Sequence, residues 1–279
     1  MLFAGLTCAQ DMHQRMWDWM EVAGASAWTP ADLGIAGTLW FDGDEGLTLS
    51  GANVSSWTDQ YSGLVASNVT SSAWPTFSTN KYTTGSSALY FDGNDFLCYL
   101  TPTNHLAANA KTIIAIVTGA APGFYQFALA TRIDYGGVDN TDYGYLYRLY
   151  TQGYAYSHTG GGDAIASTGG ASEENVILGV AKASGTSSGI VAPYKNAASL
   201  ALSTDQTLTD KPEFANGYTS IGRQGGTGYA GGYLGSMVYV PAVLSTDDRQ
   251  KVEGYLAHRY ALTALLPADH PYKSAAPTK

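Results

Sequence analysis

The stretch from Phe214 to Tyr272 constrains the fold of this chain more than any other part of its 279 residues. Segments rich in β-branched and aromatic residues lie on both sides of a Gly-rich stretch at 225–232, which is the pattern of two strands and a turn. Ser245 followed by Asp248 is a helix-start motif, and apolar residues then recur every four positions. We therefore predict a strand-rich fold that ends in one capped helix at about 245–261.

The low fraction of charged residues and the net negative charge exclude some classes of protein. Only 13% of the residues are charged, against about 25% in an ordinary soluble domain, so the surface must be built largely from uncharged polar residues. The 14 Lys and Arg residues against 23 Asp and Glu give a net charge of −9, which disfavours nucleic-acid binding through a basic face. No apolar run is long enough for a transmembrane helix, so no membrane insertion is expected.

The first 34 residues differ from the rest and are predicted to form a short helical segment. Their Met and Trp residues are candidates for docking onto a partner, because such side chains give adaptable, large contact areas. The alternative is a helix that packs on the flank of the chain's own sandwich. The start of the chain has no basic region and too short an apolar stretch for a signal peptide, so folding in the cytosol is expected. The docking candidates are Met12, Met16, Trp17, Trp19, Met20 and Trp28.

Three segments together resemble one known family. They are "LWFDGDEGLTLSGANVSSWTDQYSG" from Leu39, "SSALYFDGNDFLCYL" from Ser86, and "LSTDDRQKVEGYLA" from Leu244. This order is similar to that of the concanavalin A-like (laminin G-like) jelly-roll domains of bacteriophage virion proteins and some secreted bacterial proteins. The resemblance implies an all-β fold for residues 35–279, a two-sheet antiparallel jelly-roll sandwich with one C-terminal helix. Where the family often has an Asn-Gly turn, this chain has Asn196-Ala197.

The search for catalytic and metal-binding patterns gives none. Glycoside hydrolases of the laminarinase type need an E-x-D-x-x-E strand, because retaining chemistry uses two carboxyl groups about 5–5.5 Å apart, and the pattern is absent. We therefore expect no enzymatic activity and no catalytic residues. No metal site and no cofactor are expected either. Calcium is the alternative left open, because acidic residues cluster at 42–45, 92–95 and 139–142, although turns stabilised by Asp side chains explain the same residues.

Carbohydrate recognition is the binding chemistry that the composition favours. Sugar sites combine aromatic platforms with polar and charged side chains, and 20 Tyr residues is a high number for this length. The competing explanation is that Tyr is a good strand former on half-buried surfaces. The candidate glycan-binding residues are Tyr143, Tyr145, Tyr147, Arg148, Tyr150, Tyr154, Tyr156 and Tyr229.

The resemblance and the composition together predict a non-enzymatic virion structural protein, assembled in the host cytoplasm. It would be a capsid decoration, head-fibre or tail-fibre component. Residues 1–34 would attach it to other virion proteins, in many copies or as a homo-oligomer, and the sandwich would present a lectin-like face to polysaccharides of the host surface. The alternative is a stand-alone carbohydrate-binding protein or a glycoside hydrolase of the same fold.

Overall fold

The computed structural model describes residues 26–82, 85–100, 110–119, 126–132, 142–149, 153–158, 162–166, 175–183, 191–201, 218–224, 228–229 and 231–279. Within these ranges the chain is almost entirely antiparallel strand, with one α-helix, α1, at Thr246–Arg259, and three 3₁₀ turns, at Pro30–Leu33, Ser71–Ala73 and Thr263–Leu265. The strands are β1 Leu39–Asp42, β2 Leu47–Ser50, β3 Asn53–Thr58, β4 Val65–Ser67, β5 Thr76–Ser78, β6 Ala88–Asp92, β7 Leu97–Leu100, β8 Lys111–Thr118, β9 Gln126–Arg132, β10 Asp142–Leu149, β11 Gly153–His158, β12 Gly162–Ala166, β13 Val176–Lys182, β14 Val191–Lys195, β15 Ala198–Ser199, β16 Tyr218–Ile221, β17 Arg223–Gln224, β18 Gly228–Tyr229 and β19 Gly231–Val240.

The strands form two layers. In the first sheet, β14, β13, β8 and β19 pair in that order, and the long β19 pairs on its other side with both β6 and β1. In the second sheet, β3, β4, β7, β16, β9, β10, β11 and β12 follow one another, with β2 beside β3. The three-residue strand β5 pairs with β6 and β3 and so joins the two sheets. The predicted all-β sandwich is confirmed.

One apolar core lies between the sheets. Ile113, Ala115 and Val117 of β8 contribute to it from the first sheet, and Trp57 and Leu97 contribute from the second. The alternate β8 residues bury on the opposite face, under α1, which explains why this strand reads as a continuous apolar run.

The helix α1 covers the outer face of the first sheet. Ser245 caps its N-terminus by accepting a hydrogen bond from the N–H of Asp248. Val252, Tyr255 and Leu256 bury against the sheet, and Tyr255 meets Trp40 edge-on with ring centroids 5.6 Å apart. The predicted capped helix is confirmed. No helix among the described residues is both long and apolar enough to span a bilayer.

The β14–β15 hairpin turns at Asn196 and Ala197, which have φ angles of 51° and 67°. Lys195 pairs with Ala198 on either side of this turn. Ala197 therefore adopts the left-handed conformation that glycine has in the family's Asn-Gly turn, although alanine is unfavourable there.

The two ends of the described chain meet beside α1. Ala27 forms an antiparallel bridge with Thr278, and the N–H of Lys279 donates to the carbonyl of Ser26 at 3.0 Å. Trp28 is 6% exposed and packs edge-on against Tyr255. Residues 26–34, the described part of the expected N-terminal segment, thus pack on the sandwich.

Candidate functional site

The outer face of the second sheet, which is the face turned away from the core, carries a row of small residues. Ala66, Leu97 and Ile221 are buried in the core, so the neighbours Ser67, Cys98 and Ser220 lie on the opposite face of their strands. These residues are paired directly in register, and the same row extends to strands on both sides. We call it the small-residue row, and it consists of Ser56, Ser67, Cys98, Ser220, Ala130 and Gly144.

A row of larger residues follows on the same face, two positions along the strands. Tyr218 of β16 pairs with Leu100 of β7 on one side and with Arg132 of β9 on the other, and Arg132 pairs with Asp142 of β10. We call Tyr218, Arg132 and Asp142 the polar row. A phenol, a guanidinium and a carboxylate are the groups that combine ring stacking with hydrogen bonds to hydroxyl groups. Within the small-residue row, Ser67 is exposed, Ser56 and Cys98 are half-buried, and Ser220 is buried.

The sequence did not single out the polar row. Arg132 and Asp142 stand in different strands, and Tyr218 comes much later in the chain, so only the register of β16, β9 and β10 brings them together. A strand pattern predicts which residues alternate between faces, but it does not give the register between distant strands.

The predicted Tyr-rich hairpin is present as β10 and β11. Its register places the candidate glycan-binding residues on both faces of the sheet. Arg148 pairs with Tyr154, whereas Tyr147 pairs with Ala155, so Arg148 and Tyr154 share one face and Tyr147 lies on the other. Tyr143 pairs with Thr131, and Thr131 pairs with Thr219. These positions alternate with the small-residue row and so belong to the core-facing side of the sheet. Tyr150 lies outside the described residues. Tyr145 is at an irregular point of the β9–β10 pairing, Tyr156 lies in β11, and Tyr229 pairs with Arg223. Glycan binding by these residues stays a prediction.

The turn between β6 and β7 holds two carboxyl groups close together. The N–H of Asp92 donates to Oδ2 of Asp95 at 3.0 Å, and the N–H of Asn94 donates to Oδ1 of Asp92 at 3.0 Å. Burial raises the pKa of Asp95 to about 6, and the charge of Asp92 adds to the shift. A carboxyl group that titrates near neutral pH suits a general acid.

Other buried carboxylates serve the structure. Asp42 binds Arg259 through two contacts, at 2.6 Å to Nε and 2.9 Å to a terminal nitrogen. Burial raises the pKa of Asp42 while Arg259 opposes the shift. Both carboxylate oxygens of Glu253 accept from one terminal nitrogen of Arg249, at 2.5 and 2.7 Å. Because these carboxylates neutralise neighbouring arginines, they are poor candidates for acid catalysis.

Calcium remains the open alternative. In the part of the chain that the structure describes, no three His, Cys, Asp or Glu side chains converge on a metal position. Asp42 and Asp44 of the first predicted acidic cluster both lie within 4 Å of Arg259, which competes with a cation. Asp139 of the third cluster lies outside the described residues, so that cluster is untested.

Of the predicted partner-docking residues, the structure describes Trp28. Trp28 is buried within the chain against α1. This placement agrees with the alternative in which the segment packs on the sandwich's own flank. Met12, Met16, Trp17, Trp19 and Met20 lie outside the described residues, and docking through them stays a prediction.

No protein-family model matches the chain, and no curated protein matches it. Solved structures do share its fold. The sialidase of Trypanosoma rangeli in complex with sialic acid aligns over 89% of this chain and 38% of its own, with TM-score 0.55 and 15% identity. The same sialidase with the inhibitor DANA aligns over 88% and 38%, with TM-score 0.50 and 16% identity.

A carbohydrate-binding module, the CBM40 of a Ruminococcus gnavus sialidase, aligns over 58% of this chain and 93% of its own at 14% identity. Its TM-score of 0.40 is too low to support structural equivalence. The chain spans 38% of the length of the T. rangeli sialidase, and the identities are low, so the similarity establishes a shared β-sandwich fold.

The expectation that the chain is not an enzyme is corrected by these neighbours. They are sialidases, which are glycoside hydrolases, so this fold occurs in enzymes. The expectation rested on the missing pair of catalytic carboxylates. Sialidases use a tyrosine nucleophile in place of one carboxylate, so the missing pattern does not exclude them.

Proposed function

We propose that this chain is a glycan-binding β-sandwich that acts within, or together with, a glycoside hydrolase. The glycan would lie across the strands on the outer face of the second sheet. The observation that carries the proposal is the register of that face, in which the small-residue row runs beside Tyr218, Arg132 and Asp142.

The chemistry of the polar row suits a saccharide. The apolar face of a sugar ring stacks on aromatic rings, and its hydroxyl groups donate to carboxylates and accept from guanidinium groups. Arg132 would also bind an acidic sugar through a charge-assisted pair. The fold neighbours agree with this class of ligand, because one of them was solved with sialic acid bound.

Titration with saccharides tests the proposal. Isothermal calorimetry of the full chain with sialyllactose, lactose and a neutral β-glucan should detect binding of at least one of them. Arg132→Ala should weaken that binding by about tenfold or more, because a hydrogen bond to a charged group contributes about 1.5–3 kcal/mol. Lys251→Ala on the exposed side of α1 is the charge-matched control and should leave affinity unchanged. Absence of binding to every saccharide by the wild-type chain would falsify the proposal.

Hydrolysis is tested on the same protein. Release of sialic acid and of reducing sugar should be measured with the same saccharides over pH 4–8. If the chain itself cleaves one of them, Asp95→Asn tests whether this carboxyl group, whose pKa burial raises, is the acid: its removal should then change the pH profile. Cleavage that is indifferent to Asp95→Asn would remove this residue as the acid.

Presentation on a virion is the second candidate. It is favoured by the segment from Leu244 to Ala257, which is similar to the family's helix motif and forms the capped helix α1. Repetition on a particle would turn weak single-site glycan binding into useful avidity. Antibodies against the sandwich should then label purified particles in electron micrographs. Particles that lack the chain, by labelling and by peptide mass spectrometry, would exclude this setting.

A further inference from the structure

The loop from Asn68 to Trp74, which joins β4 to β5, is held in one shape by a single buried side chain. Asn68 is 8% exposed. Its Nδ2 donates to the carbonyls of Phe96 at 3.0 Å and Ala73 at 3.4 Å, and its Oδ1 accepts from the N–H of Thr70 at 2.9 Å. Because the amide is satisfied on both sides, the loop is pinned from within.

This pinned loop carries one aromatic ring, that of Trp74. Among the four described tryptophans, Trp28, Trp40 and Trp57 are buried in the two cores, whereas Trp74 is only half-buried and belongs to neither core. The Nε1 of Trp74 donates to the carbonyl of Asn68 at 2.5 Å, which fixes the orientation of the indole. A large aromatic side chain that is fixed in orientation and only half-buried is typical of a recognition surface.

The loop that carries Trp74 lies next to the small-residue row. Asn68 directly follows Ser67, and Phe96, which Asn68 binds, lies two residues before Cys98 in β7. Ser67 and Cys98 are paired members of the row. The loop is therefore at the flank of the row, across it from the side on which Tyr218 and Arg132 lie.

We propose that Trp74 is the stacking platform for a pyranose ring of the bound glycan, and that Asn68 is the positioning residue that sets its angle. This inference rests on the proposed function. The glycan would be held from one side by the polar row and from the other by the indole. The ring contact requires only the apolar face of the sugar, so it serves neutral and acidic saccharides alike.

Calorimetry with the tightest-binding of the three saccharides tests the platform. Trp74→Ala should weaken binding by about tenfold, whereas Trp74→Phe, which keeps an aromatic face, should stay within about threefold of wild type. Val69→Ala is the matched control, because Val69 is 99% exposed on the same loop but has no ring. Melting temperatures of all variants should be close to that of wild type, since Trp74 lies outside both cores.

Intrinsic fluorescence gives a second readout. Saccharide should shift the tryptophan emission of the wild-type chain, and Trp74→Phe should remove the shift while binding persists. Asn68→Ala should lower affinity without abolishing the shift. Binding by Trp74→Ala within twofold of wild type, or an unchanged shift in Trp74→Phe, overturns the platform and leaves the proposed function intact. A wild-type chain that binds none of the saccharides overturns both.

Discussion

At the scale of single residues, local strain and burial mark positions where another residue would suit the fold better. Ala197 has φ 67°, a conformation that costs an L-residue about 1 kcal/mol relative to glycine. Its neighbour Asn196 is tied into the sheet, since its N–H donates to the carbonyl of Ile177 and its Oδ1 accepts from the N–H of Ile177. These two bonds hold the turn in place despite the alanine.

Ala197→Gly should therefore stabilise the protein. We expect the free energy of unfolding to rise by about 0.5–1 kcal/mol, because the left-handed strain disappears. Urea unfolding followed by fluorescence measures it. Ala198→Gly, in the exposed strand β15, is the matched control and should lower the free energy by about 0.5 kcal/mol. If both substitutions destabilise equally, strain at Ala197 is not significant.

Asp95 predicts a pH dependence of stability. Its pKa rises from 3.8 to about 6 on folding, so the folded state binds the proton more tightly than the unfolded state does. The stabilisation from this proton is complete below about pH 3.8 and is lost as the pH rises through about 6. Asp95→Asn should match the wild-type stability near pH 4 and exceed it at pH 7.5, by roughly 1 kcal/mol in the free energy of unfolding after solvent screening. Melting curves from pH 4 to 8 measure this, with the exposed Asp269→Asn as control. A difference between Asp95→Asn and wild type that does not change with pH would contradict the prediction.

At the scale of elements, α1 could be predicted from the sequence because its signals are local. The Ser245 cap and the four-residue apolar spacing lie within one short stretch of chain. The ion pair that holds its C-terminal end could not be predicted, because Arg259 and Asp42 are 217 positions apart in the sequence. Asp42 was interpreted from the sequence as a turn or calcium residue, and only the packing of helix on sheet reveals its cationic partner.

Breaking this buried pair should be costly. Arg259→Met alone should lower the free energy of unfolding by about 3–5 kcal/mol, because it leaves the buried Asp42 carboxylate without its cationic partner. Asp42→Asn alone should cost less, because Arg259 keeps Glu45 at 3.2 Å. The double variant should recover part of the loss. Lys251→Ala, which removes an exposed pair with Asp248 at 3.5 Å, should cost less than about 1 kcal/mol. A double-mutant cycle in urea measures the coupling, and additive losses would mean that the two side chains act independently.

At the scale of the whole molecule, the sandwich follows from strand patterns, but the candidate site does not. Alternating or continuous apolar runs, such as 111–118, indicate buried strands whatever their partners. The candidate face depends on the pairing of β16 with β9 and of β9 with β10, which is a matter of register between distant segments. This register is not encoded in any one short segment. The Tyr-rich hairpin is, and sequence patterns therefore predict the hairpin as the binding site.

The meeting of the two chain ends gives a prediction at the same scale. Deleting residues 277–279 removes the bridge between Ala27 and Thr278 and the hydrogen bonds to Ser26 and Trp28. Amide hydrogen exchange at residues 26–35 should then accelerate by about tenfold or more, while exchange in β8 and β19 stays unchanged. Lys279→Ala removes only the ion pair with Asp32 at 2.8 Å and should change little. Equal protection in the truncated chain would show that Trp28 packing alone holds the segment.

The contact between Ser26 and Lys279 also bears on how such a unit is combined with other domains. Ser26 and Lys279 meet at one spot beside α1, on the first sheet, while the small-residue row lies on the second sheet. A module with adjoining entry and exit points can be spliced into a surface loop of a larger protein as readily as it can be joined end to end. In either arrangement the joined polypeptide would lie on the helix side, and the face that carries the small-residue row would point away from it.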